Sequence, residues 1–119
     1  MTIQKIRHKG KEIVCIDWRT RHGIHEALAL LEESHEFHRT CAKQIRTLDI
    51  FQGVSGSAPF LDKARELGME TIVNKREKCA AVGIDTLNRL VHKLFGRNDG
   101  ERPPLFKTVE EALDYLAAD

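Results

Sequence analysis

Cysteine is scarce in this sequence, and its spacing offers no redox or metal motif. Three cysteines occur, Cys15, Cys41 and Cys79, widely spaced and without a C-x-x-C pair. This odd count argues against a disulfide framework, and the N-terminus carries no apolar signal-peptide segment. We therefore expect a protein of the reducing cytoplasm.

A large excess of charge of either sign is also missing. The 19 basic and 18 acidic side chains leave a formal net charge of +1, which argues against a dedicated nucleic-acid-binding protein, since such proteins need a dense basic patch. Residues 1–21 are more basic, with six Lys or Arg against two acids. We expect a solvated surface there, and charges that protect the edge of the first strand from pairing.

Long apolar runs and aromatic residues are few. No run approaches the ~20 residues that cross a bilayer, so stable membrane insertion is not expected. Aromatic residues make up 6% of the chain, which argues against a large apolar cavity. The 119 residues have the length of a single domain, 1–119.

The first part of the chain predicts a β-hairpin followed by a helix. Thr2–His8 and Lys11–Trp18 flank Lys9-Gly10, where glycine permits a tight turn. The second strand is apolar at four successive positions, 13–16, so we expect it inside the sheet. From His22 to Phe37 the apolar spacing becomes helical, with an acidic opposite face.

The middle of the chain predicts a strand, a glycine-containing loop and a second helix. These elements are a strand at Lys43–Phe51, a loop at 52–57 and a helix that begins at Ser57 to Pro59. We expect this helix to continue to about Asn74. The alternative is a break at Gly68 followed by a strand at 71–73.

The C-terminal part predicts two β-α pairs. A strand at Ala80–Ile84 leads into a helix with Asp85 as its N-cap and Gly96 just after its end. A strand at Leu105–Lys107 leads into a helix that starts with the capping box Thr108-x-x-Glu111. The predicted order is ββαβαβαβα, an α/β fold whose largely parallel sheet has an antiparallel N-terminal edge.

The helical projections also predict which side chains pack against the sheet. The predicted core residues are Ile13, Leu28, Leu31, Leu48, Phe60, Ala64, Val82, Leu87, Val91, Leu113 and Leu116.

Several segments together resemble a known family. They are Lys-Gly-Lys-Glu at 9–12 running into Ile-Val-x-Ile-Asp, the acidic helix, the strand AAVGI at 80–84, and a helix ending FGR ahead of FKTVEEALDYL at 106–116. Over nearly its whole length the chain resembles the SpoIIAA-like proteins of the STAS/SEC14-type superfamily, small bacterial domains grouped with anti-sigma-factor antagonists.

The resemblance implies the SpoIIAA-like (STAS-type) fold, a mixed β-sheet with helices packed mainly on one face. It implies a cytoplasmic, non-catalytic signalling domain whose partner is another protein, and it allows a homodimer. The alternative from the same superfamily is a SEC14-like protein that binds a small apolar ligand or a lipid.

The expected partner-binding or regulatory residues are Ser55, Gly56, Ser57 and Phe60. In regulatory STAS proteins the second long helix opens with an Asp-Ser-Ser-Gly type motif whose serine is phosphorylated. The corresponding residues here read GVSGSA at 53–58, without the acidic residue. Two roles stay open for Ser57, a regulatory phosphosite or the N-cap of the helix.

His35, His38 and Cys41 form the best candidate for a metal site. Each is three residues from the next, which places them on adjacent turns of a helix, but no fourth ligand joins them at this spacing. We expect packed or partly exposed histidines where the helix frays, with no bound metal and no cofactor. A small hydrolase or metal enzyme built on the histidines is the third hypothesis for function.

The remaining candidates are isolated side chains. We expect Cys15 and Cys79 to be small core residues, because neither has the electropositive surroundings that activate a thiol. Asp17 and Asp49 lie near the carboxyl ends of predicted strands, where open α/β sheets place functional groups. We expect solvent-exposed or capping roles for both, and no catalytic residue in the chain.

Overall fold

The computed structural model describes residues 3–19, 24–41, 44–51, 58–68, 76–83 and 104–118. These ranges contain five strands and three helices in an α/β arrangement. The strands are β1 (Ile3–His8), β2 (Lys11–Asp17), β3 (Ile45–Ile50), β4 (Arg76–Val82) and β5 (Leu105–Phe106). The helices are α1 (Ile24–Thr40), α2 (Ala58–Glu66) and α3 (Val109–Ala117).

The strands form one mixed sheet in the sequential order β1-β2-β3-β4-β5. β1 runs antiparallel to β2, and the remaining neighbours are parallel. The predicted parallel sheet with an antiparallel N-terminal edge is therefore confirmed.

The hairpin turn has the geometry that its sequence predicts. Lys9 and Gly10 both have positive φ angles, 48° and 82°, and His8 lies opposite Lys11. Positive φ at both central residues is the type I′ pattern, whose twist matches the twist of the two strands. Asp114 of α3 holds this turn through contacts with His8 Nε2 at 2.7 Å and Lys9 Nζ at 2.9 Å.

The second helix is shorter than expected. α2 ends at Glu66, and Gly68 follows with a φ of 72° and an N–H that donates to the Arg65 carbonyl at 3.0 Å. The predicted continuation to Asn74 is wrong and the break at Gly68 is right, because a left-handed glycine satisfies the last carbonyls of the helix. The alternative strand at 71–73 lies outside the described residues, as does the predicted helix between Asp85 and Gly96.

Both ends of α3 are held by side chains. The Thr108 hydroxyl accepts a hydrogen bond from the Glu111 N–H at 3.2 Å and donates one to the Glu111 carboxylate at 3.1 Å. Thr108 is therefore the predicted N-cap, but the capping box is confirmed only in this half, because the Glu111 carboxylate binds the Thr108 hydroxyl rather than a backbone N–H. At the C-terminus, Arg46 and Lys78 both donate to the Ala118 carbonyl at 2.9 Å, where a positive charge also favours the helix dipole.

Two apolar clusters cover opposite faces of the sheet. One packs α1 and α2 against residues of β2 that include Val14 and Ile16. The other packs α3 against the alternate residues Ile13 and Cys15. The prediction of helices mainly on one face describes α1 and α2, whereas α3 departs from it, because a strand apolar at every position needs cover on both sides.

Most of the predicted core is observed. The buried members are Ile13, Leu31, Leu48, Ala64, Val82 and Leu116, while Leu28 and Leu113 are partly buried against the two clusters. Leu87, Val91 and the side chain of Phe60 lie outside the described residues. No helix in the described ranges is long and apolar enough to span a membrane.

Truncation of Leu31 tests the cluster under α1. Leu31 is fully buried, whereas Leu105 is 48% exposed, so Leu31→Ala should lower the free energy of unfolding by about 2–5 kcal/mol. Leu105→Ala is the matched control, with an expected change of at most about 0.5 kcal/mol. Urea denaturation measures both variants, and equal losses would contradict the assigned core.

Candidate functional site

The most concentrated polar chemistry in the described residues is an ion pair inside the fold. Arg76 Nη1 lies 2.6 Å from Asp49 Oδ2, and Arg76 Nη2 lies 3.4 Å from Oδ1. Both side chains are fully buried. Removing two charges from water is costly, so such a pair is tolerated only when further hydrogen bonds satisfy it.

Trp18 supplies one of these further bonds. Its indole Nε1 donates to Asp49 Oδ1 at 2.9 Å, and its ring stacks on Phe51 at a centroid distance of 5.6 Å and an angle of 5°. The backbone N–H of Trp18 also donates to the Ile50 carbonyl at 2.9 Å. The carboxylate therefore joins the residue after β2 to the sheet.

His38 of α1 completes this cluster, which we call the Asp49 network (Asp49, Arg76, Trp18 and His38). Arg76 Nε lies 3.1 Å from His38 Nε2, and His38 Nδ1 lies 2.7 Å from the Ser34 carbonyl. Because a guanidinium only donates, Nε2 must accept, and Nδ1 then carries the proton that binds the carbonyl. Both ring nitrogens are used inside the fold.

The surroundings of His38 keep its ring neutral. Burial lowers the pKa of His38 to about 4, and the adjacent positive charge of Arg76 acts in the same direction. The ring thus serves as a neutral acceptor for Arg76 at physiological pH, rather than as a second cation.

A β-bulge aims Arg76 at this network. In the β3–β4 register Ile45 lies opposite Arg76, but Arg46 lies opposite Lys78. Glu77 between them therefore has no residue opposite it on β3. Without the extra residue, Arg76 and Lys78 would point to the same face of the sheet. The bulge directs Arg76 towards α1, while Lys78 reaches the C-terminus of α3.

Thr47 is a buried polar residue of β3 on the α1 face of the sheet. Its side chain is fully buried, and its hydroxyl makes no hydrogen bond in the described part of the chain. An unsatisfied buried hydroxyl costs about 1–3 kcal/mol.

The structure describes residues before and after most of the predicted partner-binding site, but not the site itself. Ser55, Gly56 and Ser57 lie outside them, and Phe60 falls in the first turn of α2 without a described side chain. The segment that contains the three residues leaves β3 after Phe51, whose N–H donates to the Val82 carbonyl at 2.9 Å. It therefore begins at the carboxyl edge of the parallel strands.

The two candidate aspartates have different roles. Asp17 accepts hydrogen bonds from the backbone N–H of Arg19 at 3.0 Å and from its guanidinium at 2.7 Å, and this partner lowers the pKa of the Asp17 carboxyl. Of the two roles predicted for it, the solvent-exposed one fits, because the Asp17 side chain is about one-third exposed and binds Arg19 outside any helix. The solvent-exposed or capping role predicted for Asp49 is wrong, because its side chain is buried and its negative charge is paired with Arg76, which lies 27 positions away in the sequence.

The proposed fraying of α1 near the histidines is also wrong. α1 continues to Thr40, His38 is fully buried, and Cys41 Sγ donates to the Phe37 carbonyl at 3.1 Å. His38 has no ring nitrogen left for a metal ion. Among the described residues, no three side chains of the metal-binding types lie close enough together to hold an ion.

The buried cysteines confirm the prediction made for them. Cys15 and Cys79 both lie in the core. Burial, with the negative charges of Asp17 and Asp49, raises the pKa of Cys15 to about 11. The thiol is therefore protonated and a poor nucleophile at neutral pH.

Sequence reasoning missed two members of the Asp49 network, Arg76 and Trp18, and the Ser34 carbonyl that binds His38. A usable signal was present, since Asp49 stands between Leu48 and Ile50 in an otherwise apolar strand. A carboxylate at such a position needs a buried cation or several donors. The sequence does not indicate which cation supplies it.

One open groove lies at the amino ends of β2, β3 and β4, with a volume of about 450 Å³. Among the described residues that line it, five side chains are charged or polar, and Val14 and Ile45 are apolar. The polar lining consists of Lys11, Glu12, Gln44, Arg46 and Glu77. Such a surface does not favour a lipid tail.

Comparisons of the chain with protein-family models, with curated proteins and with solved structures find no match.

Loss of one ion-pair partner should be severe. Arg76→Met leaves the Asp49 carboxylate buried and unpaired, so we expect a loss of about 3–5 kcal/mol in unfolding free energy. The double variant Asp49→Leu with Arg76→Met should recover part of this loss, because no unpaired charge remains. Arg65→Met, at an exposed position of α2, is the control. Urea denaturation followed by fluorescence of the single tryptophan measures these variants together with Asp49→Leu alone. A stability loss in the double variant equal to the sum of the two single losses would contradict an energetic coupling between Asp49 and Arg76.

The stability of the protein should depend on pH through His38. The unfolded histidine titrates near 6.5 and the folded one at about 4, so the unfolded chain binds the extra proton between these values. Stability is therefore lost as the pH falls from about 6.5 to 4, by roughly 3 kcal/mol in all. In His38→Gln this part of the pH dependence should disappear, whereas the exposed His25→Gln should retain it. Unchanged pH curves in His38→Gln would contradict the assigned tautomer and burial.

Proposed function

We propose that the protein is a non-catalytic protein-interaction domain of bacterial signalling, similar to anti-sigma-factor antagonists and acting in the cytoplasm. The proposal includes the SpoIIAA-like, STAS-type form of the α/β fold, which the resemblance of its motifs suggests.

The observation that carries the proposal is that the ionisable and nucleophilic side chains of the Asp49 network and of Cys15 are buried. Asp49, Arg76 and His38 bind one another in the core with no exposed side-chain surface. Cys15 is buried as a protonated thiol. Groups in such positions stabilise the fold but cannot reach a substrate, which supports recognition by surface contacts.

The proposed contact region comprises Ser55, Gly56, Ser57 and Phe60. Phe51, four residues before Ser55, lies at the carboxyl edge of the parallel strands, the edge at which open α/β sheets place their functional segments. Phe51 is fixed by its stack on Trp18 and by its bond to β4. A rigid strand end and a helix start give a partner a well-defined surface.

The alternative, a SEC14-like protein for a small apolar or lipid ligand, fits the described surface less well. The groove of about 450 Å³ is lined mainly by charged and polar side chains. Mass spectrometry of organic extracts from the purified protein tests this alternative directly.

Site-specific photo-crosslinking tests the proposed contact region. With benzoylphenylalanine in place of Phe60, we expect a protein crosslink in extract of the native cell. The same group in place of Gln44, which is exposed at the amino end of β3, the end opposite to the one that leads to Phe60, should give none. Equal crosslinking at both positions, or none at Phe60, would contradict the proposal.

Substitutions of Ser57 separate the two roles left open for it. If Ser57 is a phosphosite, Ser57→Asp should change the yield of the Phe60 crosslink while Ser57→Ala keeps it. If Ser57 only caps α2, Ser57→Ala should lower stability by about 1 kcal/mol and neither variant should change the crosslink.

A further inference from the structure

As far as the chain is described, β1 is an edge strand of the sheet. In the described residues it pairs with β2 alone, and Gln4, Lys5 and Arg7 are exposed. Six residues long, this edge is long enough to pair with another strand. An exposed edge of this kind is a template for strand addition.

The hairpin register determines which backbone groups face outward. In a two-residue hairpin the residues that flank the turn, here His8 and Lys11, form a hydrogen-bonded pair. Pairs then alternate along an antiparallel ladder. The N–H and C=O groups of Ile3, Lys5 and Arg7 therefore point away from β2.

Two of the residues whose backbone groups point outward, Lys5 and Arg7, also carry positive charges. Lys5 has no hydrogen bond or ion pair within the described ranges, while Arg7 Nη1 donates to the Gly10 carbonyl of its own turn at 3.2 Å. The acid opposite this row is Glu12, which pairs across the strands with Arg7. Lys5 is thus the uncompensated charge in the middle of the edge.

This charge pattern decides between the possible occupants. A second copy that paired antiparallel through β1 would place Lys5 opposite Lys5 of the other copy in the register centred on Lys5, or opposite its Arg7 in the register centred on Ile6, and like charges in opposing positions destabilise a strand pair. A strand with carboxylates at alternate positions would place opposite charges there. The charges that protect the edge from self-pairing therefore select an acidic strand.

We propose that the β1 edge binds an extended acidic segment of a partner protein by strand addition. The outward backbone groups of Ile3, Lys5 and Arg7 pair with the partner backbone, and the side chains of Lys5 and Arg7 contact its carboxylates. This surface is separate from the proposed contact region at Ser55 to Phe60 and does not depend on it.

The test uses synthetic peptides of about eight residues, a length that matches the edge. One alternates Glu with Val, a second alternates Gln with Val, and a third alternates Lys with Val. Titration calorimetry with the full chain should show binding of the Glu peptide only, and its affinity should fall as salt is added. Binding of the Gln or Lys peptide with equal affinity would overturn the proposal.

Three substitutions at Lys5 separate charge from backbone pairing. Lys5→Glu should weaken binding of the Glu peptide at least about tenfold. Lys5→Thr and Lys5→Pro both lack the charge, but only proline also removes the outward N–H, so Lys5→Pro should bind more weakly than Lys5→Thr. Proline is tolerated here because this N–H makes no bond to β2. Lys107→Glu, the same charge change at the far edge of the sheet, should leave the affinity within about twofold of wild type.

Two outcomes would assign the edge differently. An affinity unchanged by Lys5→Glu would place the peptide elsewhere on the protein. A dimer in light scattering that Lys5→Pro separates into monomers would mean that a second copy occupies the edge. Should Lys5→Pro fail to fold, the comparison of Lys5→Glu with Lys107→Glu still decides the question.

Discussion

On the α1 side of the sheet, the Asp49 carboxylate and the Arg76 guanidinium lie 2.6 Å apart without exposed surface. Desolvation of two charges costs several kcal/mol per ion, and Trp18 and His38 offset part of this cost with one further hydrogen bond each, to Asp49 and from Arg76 respectively. These four residues belong to β3, to β4, to the end of β2 and to α1. The network forms only when all four elements have reached their places, so it favours one arrangement of the sheet and helix over its alternatives.

The two faces of the sheet use charge in different ways. On the α1 face the ion pair is enclosed, whereas on the opposite face Arg46 and Lys78 donate to the last carbonyls of α3. The bulge at Glu77 makes this division possible, since it turns Arg76 to one side and leaves Lys78 on the other. One inserted residue thereby connects the buried network to the docking of the C-terminal helix.

The distribution of polar groups bears on function. In the described part of the chain, the Asp49 network stabilises the interior, and the surface carries backbone at a strand edge and exposed lysine and arginine. Surfaces of this kind recognise other proteins by shape, main-chain pairing and charge. Such a use of the surface is compatible with a signalling domain, which works by being bound.

The sequence by itself determined the elements whose signals are local. Gly10 indicates the hairpin turn, Thr108 indicates the start of α3, and the apolar run in β2 indicates a strand covered on both faces, because each signal acts within a few residues. Only the tertiary structure decided the partner of Asp49, since Arg76 lies 27 positions away and its direction depends on a bulge that no residue pattern marks. The proposed contact region from Ser55 to Phe60 still rests on sequence alone. A buried charge shows in the sequence that a partner must exist, but the choice among distant candidates is made by packing.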